Sequence, residues 1–234
     1  MDKIGIRNLV ICALALSAVT SVCLGATPDS FEFVEVEVPG ATDIFLQDIN
    51  ESGVATGTVV LDGLDRAFIW DSRTNSTTIL SGTATESGFG FEINSFGDVA
   101  GQADFTAALW GAGSVTPTQT DFNGSTFLRA QSVSDSGEIL LQPSNTLARP
   151  SVFRSDGTLD NLQAPTGPGY ATSGVPSFAF PRYSAVSINS SGFVVGSAFA
   201  SGVNDMRDAI IWNPEGIPTI IRSSVNDTTF SRGR

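Results

Sequence analysis

The stretch Gln47-Asp48-Ile49-Asn50-Glu51-Ser52-Gly53-Val54-Ala55-Thr56-Gly57 decides the fold. An aliphatic residue, an asparagine, two polar residues and a glycine read as a tight turn between two strands. The asparagine bonds its side chain to a backbone N–H two residues on, and the glycine takes the positive-φ position that closes a short hairpin. Beyond Gly53, Val54, Thr56, Thr58 and Val60 alternate with Ala55, Gly57 and Val59, the pattern of a half-buried strand. A loop then leads to Arg66-Ala67-Phe68-Ile69-Trp70-Asp71, a short apolar run ending in a large ring.

The same order of residues returns three times. Phe91-Glu92-Ile93-Asn94-Ser95-Phe96-Gly97-Asp98-Val99-Ala100-Gly101 precedes Ala107-Ala108-Leu109-Trp110. The third copy is weaker: Gln131-Ser132-Val133-Ser134-Asp135-Ser136-Gly137-Glu138-Ile139, then Pro150-Ser151-Val152-Phe153. The fourth is Val186-Ser187-Ile188-Asn189-Ser190-Ser191-Gly192-Phe193-Val194-Val195-Gly196, then Ala209-Ile210-Ile211-Trp212. The anchors Ile49, Ile93, Val133 and Ile188 stand 44, 40 and 55 residues apart. After each ring comes a polar turn and a fourth short strand, predicted at 77–80, 115–120, 158–162 and 218–221. Four antiparallel strands in about 40–45 residues is the size of a propeller blade. The expected fold is therefore all-β, a β-propeller-like array of four four-stranded repeats of about 40–59 residues each. One large ring at one equivalent position per repeat reads as packing between blades rather than as a ligand cage.

The predicted domain covers 31–222, with units at 31–73, 74–113, 114–157 and 158–216 and a closing strand at 217–222. Residues 31–38 alternate as a seventeenth strand that duplicates the role of 218–221, and 223–234 form a tail or a truncated fifth unit. A surplus strand implies an incomplete or open ring, or self-association through an unpaired edge strand.

These residues resemble the bacterial extracellular HAF-repeat family. The Ile-Asn-x-x-Gly-x-Val-x-Gly stretch followed by an Ala-Phe-Ile-Trp-like strand carries the likeness. So does the opening Phe31-Glu32-Phe33-Val34-Glu35-Val36-Glu37-Val38-Pro39-Gly40-Ala41-Thr42. The resemblance covers roughly 31–222 and implies a propeller-like exported protein, with no defined activity. The chain departs from the family at the frequent His before Ala-Phe. Arg66, Thr106 or Ala107, Pro150 or Ser151, and Asp208 stand there instead.

Residues 1–26 read as a secretory signal. Lys3 and Arg7 precede the apolar run LVICALALSAVTSVCL (9–24) and the small residues Gly25 and Ala26, and Pro28 opens the mature region. Cleavage after Gly25 or Ala26 gives a secreted, extracellular or cell-surface protein. An uncleaved membrane anchor is the rival reading, because the run approaches spanning length.

The composition then removes most catalytic chemistry. The chain has no histidine, its cysteines are Cys12 and Cys23, and its one lysine is Lys3. Without the leader there is no His base, thiol nucleophile, His-based zinc site or Schiff-base lysine. A net charge of −12 argues against nucleic acid and anionic lipid. Carboxylates survive, and Asp48 and Glu92 occupy the same pre-turn position, with Ser132 and Ser187 in the other two units. Two acids converging across a cleft are enough for glycoside hydrolysis. No cofactor is expected. Calcium is the one ion the loop oxygens suit, at Asp62 with Asp65, Asp98 with Asp104, and Asn204 and Asp205 with Asp208. None of these has the spacing of a calcium loop.

Residues 164–183 interrupt the repeat with prolines and rings. Tyr170, Phe178, Phe180 and Tyr183 form the candidate ligand-binding loop, since insertions on rigid repeats often carry recognition. The sequence thus predicts a non-catalytic binding or scaffold module whose partner is an extracellular protein or polysaccharide. The alternative is a carbohydrate-binding or carboxylate-dependent glycoside-hydrolysing propeller.

Overall fold

A computed structural model describes residues 33–80, 87–124, 127–143, 149–166, 183–199 and 207–221. The leader, the tail and most of the 164–183 insertion lie outside the described residues.

Each turn closes as its residues require. Gly53, Gly97, Gly137 and Gly192 all have φ between +76° and +92°. Each donates its N–H to the carbonyl three residues back, at 2.9–3.1 Å, on Asn50, Asn94, Ser134 and Asn189. The Asn50 Oδ1 accepts from Ser52 and Val54 N–H, and Asn94 and Asn189 repeat that pair of bonds. Ser134, with its shorter side chain, accepts one such bond, from Glu138 N–H. The asparagines are turn formers, as the sequence indicates.

Among the described residues the turns join fifteen strands: β1 (Ala41–Ile49), β2 (Val54–Leu61), β3 (Leu64–Asp71), β4 (Ser76–Leu80), β5 (Gly88–Ile93), β6 (Val99–Ala103), β7 (Thr106–Trp110), β8 (Phe127–Val133), β9 (Ile139–Pro143), β10 (Ser151–Phe153), β11 (Leu159–Asn161), β12 (Tyr183–Ile188), β13 (Val194–Phe199), β14 (Arg207–Trp212) and β15 (Pro218–Ile221). They form four antiparallel meanders, β1–β4, β5–β7, β8–β11 and β12–β15. The molecule is an all-β, propeller-like array of four sheets.

Two details differ from the sequence reading. Residues 33–38 form no strand, so the surplus seventeenth strand is absent there. Val36 and Val38 instead lay their side chains over the first sheet, against Ala55, Val59, Phe68 and Trp70. The second sheet has three strands; the fourth expected at 115–120 is reduced to an isolated bridge between Leu109 and Gln119. The first, third and fourth sheets end with the strand after their ring, so β4 completes the first sheet and β15 the fourth.

The core lies between sheets. Ala67 and Leu80 of the first meet Ile93, Val99 and Trp110 of the second. Ala100 and Ala107 of the second meet Ala130, Val133, Ile139 and Leu141 of the third. Leu140, Val152 and Leu162 of the third meet Ile188, Val194, Ile210 and Trp212 of the fourth. Burying one such aliphatic side chain is worth about 1.5–3 kcal/mol. Three of the four rings sit in these interfaces, whereas Trp70 lies on the outer face of the first sheet with Val36 and Val38, so packing between blades does not hold for it. Trp110 and Trp212 are fully buried, and Phe153 meets Phe122 edge-on with centroids 5.4 Å apart. Among the described residues, no strand of the fourth sheet packs extensively on the first, which leaves the array open between them.

Candidate functional site

The first strands of the four sheets, β1, β5, β8 and β12, touch one another across successive sheets. Each carries a register shift at the same place, between Leu46 and Asp48, Gly90 and Glu92, Ala130 and Ser132, and Ala185 and Ser187. One extra residue breaks the alternation there and turns the next side chain. The pre-turn residues Asp48, Glu92, Ser132 and Ser187 are thereby aimed at the neighbouring sheet.

Their bonds follow one rule. Asp48 Oδ2 accepts the Ile93 N–H at 2.9 Å. Ser132 Oγ accepts the Ile188 N–H at 3.0 Å and donates its own proton to Glu92 Oε1 at 2.8 Å. Glu92 also accepts from the Val133 N–H and the Ser187 hydroxyl. Each of Asp48, Glu92 and Ser132 reaches the anchor backbone of the next sheet, and Glu92 gathers groups from the third and fourth sheets at once.

Glu92 is the unusual group. Burial, with the Asp48 charge adding to it, pushes its carboxyl up to about 7 against the hydrogen bonds it accepts. At neutral pH it is shared between its charged and neutral forms. Sequence reasoning placed Asp48 and Glu92 at equivalent positions. It missed that the two serines complete the same cluster.

The turn asparagines add a second row. Asn50 Nδ2 donates to Asn94 O at 3.0 Å, and Asn94 Nδ2 donates to Asp98 Oδ2 and Ser134 O. Ser95 N–H reaches Asp135 Oδ1 at 2.9 Å. At the boundary between the third and fourth sheets Arg154 joins this row, donating to Glu138 Oε1 and Asp160 Oδ2 of its own sheet and to the Pro214 carbonyl across it.

The candidate loop divides. Tyr183 is half-buried, its hydroxyl donating to Leu162 O at 3.2 Å and its ring 5.8 Å from Trp212. It therefore helps to pack the third sheet on the fourth. Tyr170, Phe178 and Phe180 lie outside the described residues. Of the acidic loop clusters, Asp98 is occupied by Asn94 and the Ala112 N–H. Asn204 and Asp205 lie outside the described residues. Among the described residues, no three acidic side chains gather in a way that would hold a metal ion.

One concave region has no counterpart in the sequence reading. A groove of about 300 Å³ runs between the first and second sheets, floored by Val54, Ile69 and Leu80 and edged by Phe96, Val115 and Asp71. Asp71 keeps its charge there, because the Arg73 guanidinium holds its carboxyl below the usual range. The signal was available at the turn: Phe96 stands where Ser52, Ser136 and Ser191 stand in the other repeats.

No protein-family model matches the chain, and none of the curated proteins is a significant match. Among solved structures, TolB from Acinetobacter baumannii is similar to 72% of this chain at 17% identity, with a TM-score of 0.46. The matched region spans 40% of that protein's length.

Proposed function

We propose that this chain is an exported, HAF-type repeat protein that binds or scaffolds an extracellular protein or polysaccharide and carries out no chemistry of its own. The observation that carries the reading is the use made of the pre-turn row. Asp48, Glu92 and Ser132 each hold a backbone N–H of the following sheet. Groups engaged in this way keep the sheets in register, and a nucleophile or proton donor needs a lone pair or proton aimed at open space. The test is a panel of chromogenic glycosides and soluble polysaccharides, read for turnover and for retention of the chain. Retention without turnover, unchanged in Glu92→Gln, is expected. Glycoside cleavage that Glu92→Gln abolishes overturns it.

The second reading, carboxylate-dependent glycoside hydrolysis, is favoured by one fact. A buried carboxyl near 7 beside a second acid is the electrostatic pattern of an acid and its partner. The same panel separates the two.

Export rests on the 1–26 leader. Amino-terminal sequencing of protein recovered outside the cytoplasm should begin at Ala26 or Thr27. Recovery of intact leader in the membrane fraction would favour the anchor instead.

A further inference from the structure

In the first three sheets, the middle of the face toward the next sheet is closed. Thr56, Ala67 and Leu80 of the first, Ala100 and Ala107 of the second, and Leu140, Val152 and Leu162 of the third are all buried. The registers place Val195, Ala209, Ile211 and Ile221 on the corresponding face of the fourth sheet. Val195 is 44% exposed, Ile221 50%, and Ala209 also faces solvent. Ser184, Ser197 and Thr219, which share the face with them, are polar but uncharged, and the register adds Arg207, a base, at the end of β14. In a chain of net charge −12, the body of this sheet face carries no acid.

The first sheet of the same chain is not its natural cover. That sheet's outward face already holds Val36 and Val38 against Ala55, Val59, Phe68 and Trp70. Repulsion between two acidic chains is weakest where neither presents acids. An aliphatic patch free of acids is also self-complementary, which is the requirement for a two-fold contact.

We propose that the outer face of β12–β15 is an interface between two copies of this chain, packed face to face about a two-fold axis. Val195 lies on β13, an inner strand of its sheet, so its side chain is reached by stacking on the face and not by adding a strand to the edge. Sheet-on-sheet packing at about 10 Å spacing seats Val195 and Ile211 of each copy between the strands of the other.

The experiment is sedimentation equilibrium of the full chain over a range of concentrations, with Val195→Glu and Ser197→Glu beside it. Circular dichroism checks that each variant keeps its strand content. Phe96→Glu, which puts the same charge on an exposed site elsewhere, is the control. The wild type and Phe96→Glu should form dimers. Either face variant should weaken association by about tenfold or more, because two like charges meet across the axis. A monomeric wild type overturns the proposal, whether the face is free or covered by another part of the chain. Association that persists in both folded face variants overturns it equally, since it must then run through an edge or another segment.

Discussion

Ile49 and Ile188 occupy the same place in the same turn, yet 55% of Ile49 faces solvent and 4% of Ile188 does. Ile93 and Val133 side with Ile188, at 4% and 3%. Both turns read Ile-Asn-x-Ser-Gly, so the unit itself does not bury its anchor. A preceding sheet does, and among the described residues none precedes the first sheet. The fourth sheet shows the converse at its other face, where Val195 is open and its counterparts Thr56, Ala100 and Leu140 are closed. Stability in this array belongs to the boundaries between units, as in other repeat architectures.

The sharpest way to break that comparison is to truncate the anchor at both places. Ile188→Ala should cost about 2–5 kcal/mol, the range for emptying a packed aliphatic site. Ile49→Ala should cost less than about 1 kcal/mol, since the side chain is already half in water. Urea denaturation of the two variants measures the difference. Equal losses would mean that the inner end of the first sheet is covered after all.

The turns were legible because each is set by neighbours in the chain: Asn50, Asn94 and Asn189 bond residues two and four positions on. The strands after the turn glycines and the buried rings followed for the same reason. The bulges were not legible. At Gln47, Phe91, Gln131 and Val186 one added residue shifts the alternation, and no residue type marks it. The pre-turn cluster therefore stayed hidden as geometry, although its members were known as equivalents. Residues 33–38 misled for a different reason. Glu35-Val36-Glu37-Val38 alternates like a strand, but β1 already fills the inner edge. The valines meet their need for burial by lying across the sheet instead of joining it.

The second prediction concerns Glu92, which binds three sheets together. Its folded carboxyl titrates near 7, above an ordinary value of 4.5. The folded state therefore holds a proton that the unfolded chain has released over that interval. Its contribution to stability is present in full below about 4.5 and is lost as pH rises toward 7. The loss should be on the order of 2–3 kcal/mol, since a tenfold difference in proton affinity between the folded and unfolded chain is worth about 1.4 kcal/mol. The chain has no histidine to titrate over the same interval. Denaturant midpoints measured from pH 4.5 to 7.5 should fall in the wild type and stay level in Glu92→Gln. A flat wild-type profile would show that Glu92 titrates normally and that the cluster is wetter than its bonds indicate.

Arg154 sharpens the contrast between boundaries. It stands where Asp71, Gly111 and Asn213 stand in the other units, and its side chain is 12% exposed. Replacing it with Met keeps the stem and removes the bonds to Glu138, Asp160 and the Pro214 carbonyl, at a cost of about 1–3 kcal/mol. Hydrogen exchange should then quicken at β12–β15 and leave the first two sheets unchanged. Uniform acceleration would mean that the four sheets open together rather than boundary by boundary.

The smallest effect should come from the turn asparagines, and it tests the comparison most finely. All three make the same local bonds, so Asn50→Ala, Asn94→Ala and Asn189→Ala share one local loss of about 1 kcal/mol. Asn94 adds contacts that depend on its place in the array. It is buried, its amide donates to Asp98 and to Ser134 O, and its own carbonyl receives the Asn50 amide. Its truncation leaves the Ser134 carbonyl short of a donor inside a boundary, so Asn94→Ala should exceed Asn189→Ala by about 1 kcal/mol. Asn50→Ala should fall between, because its amide crosses one boundary at a partly wet site. Three equal losses would assign these asparagines to the turn alone, and the pre-turn row and the apolar faces would then hold the boundaries by themselves.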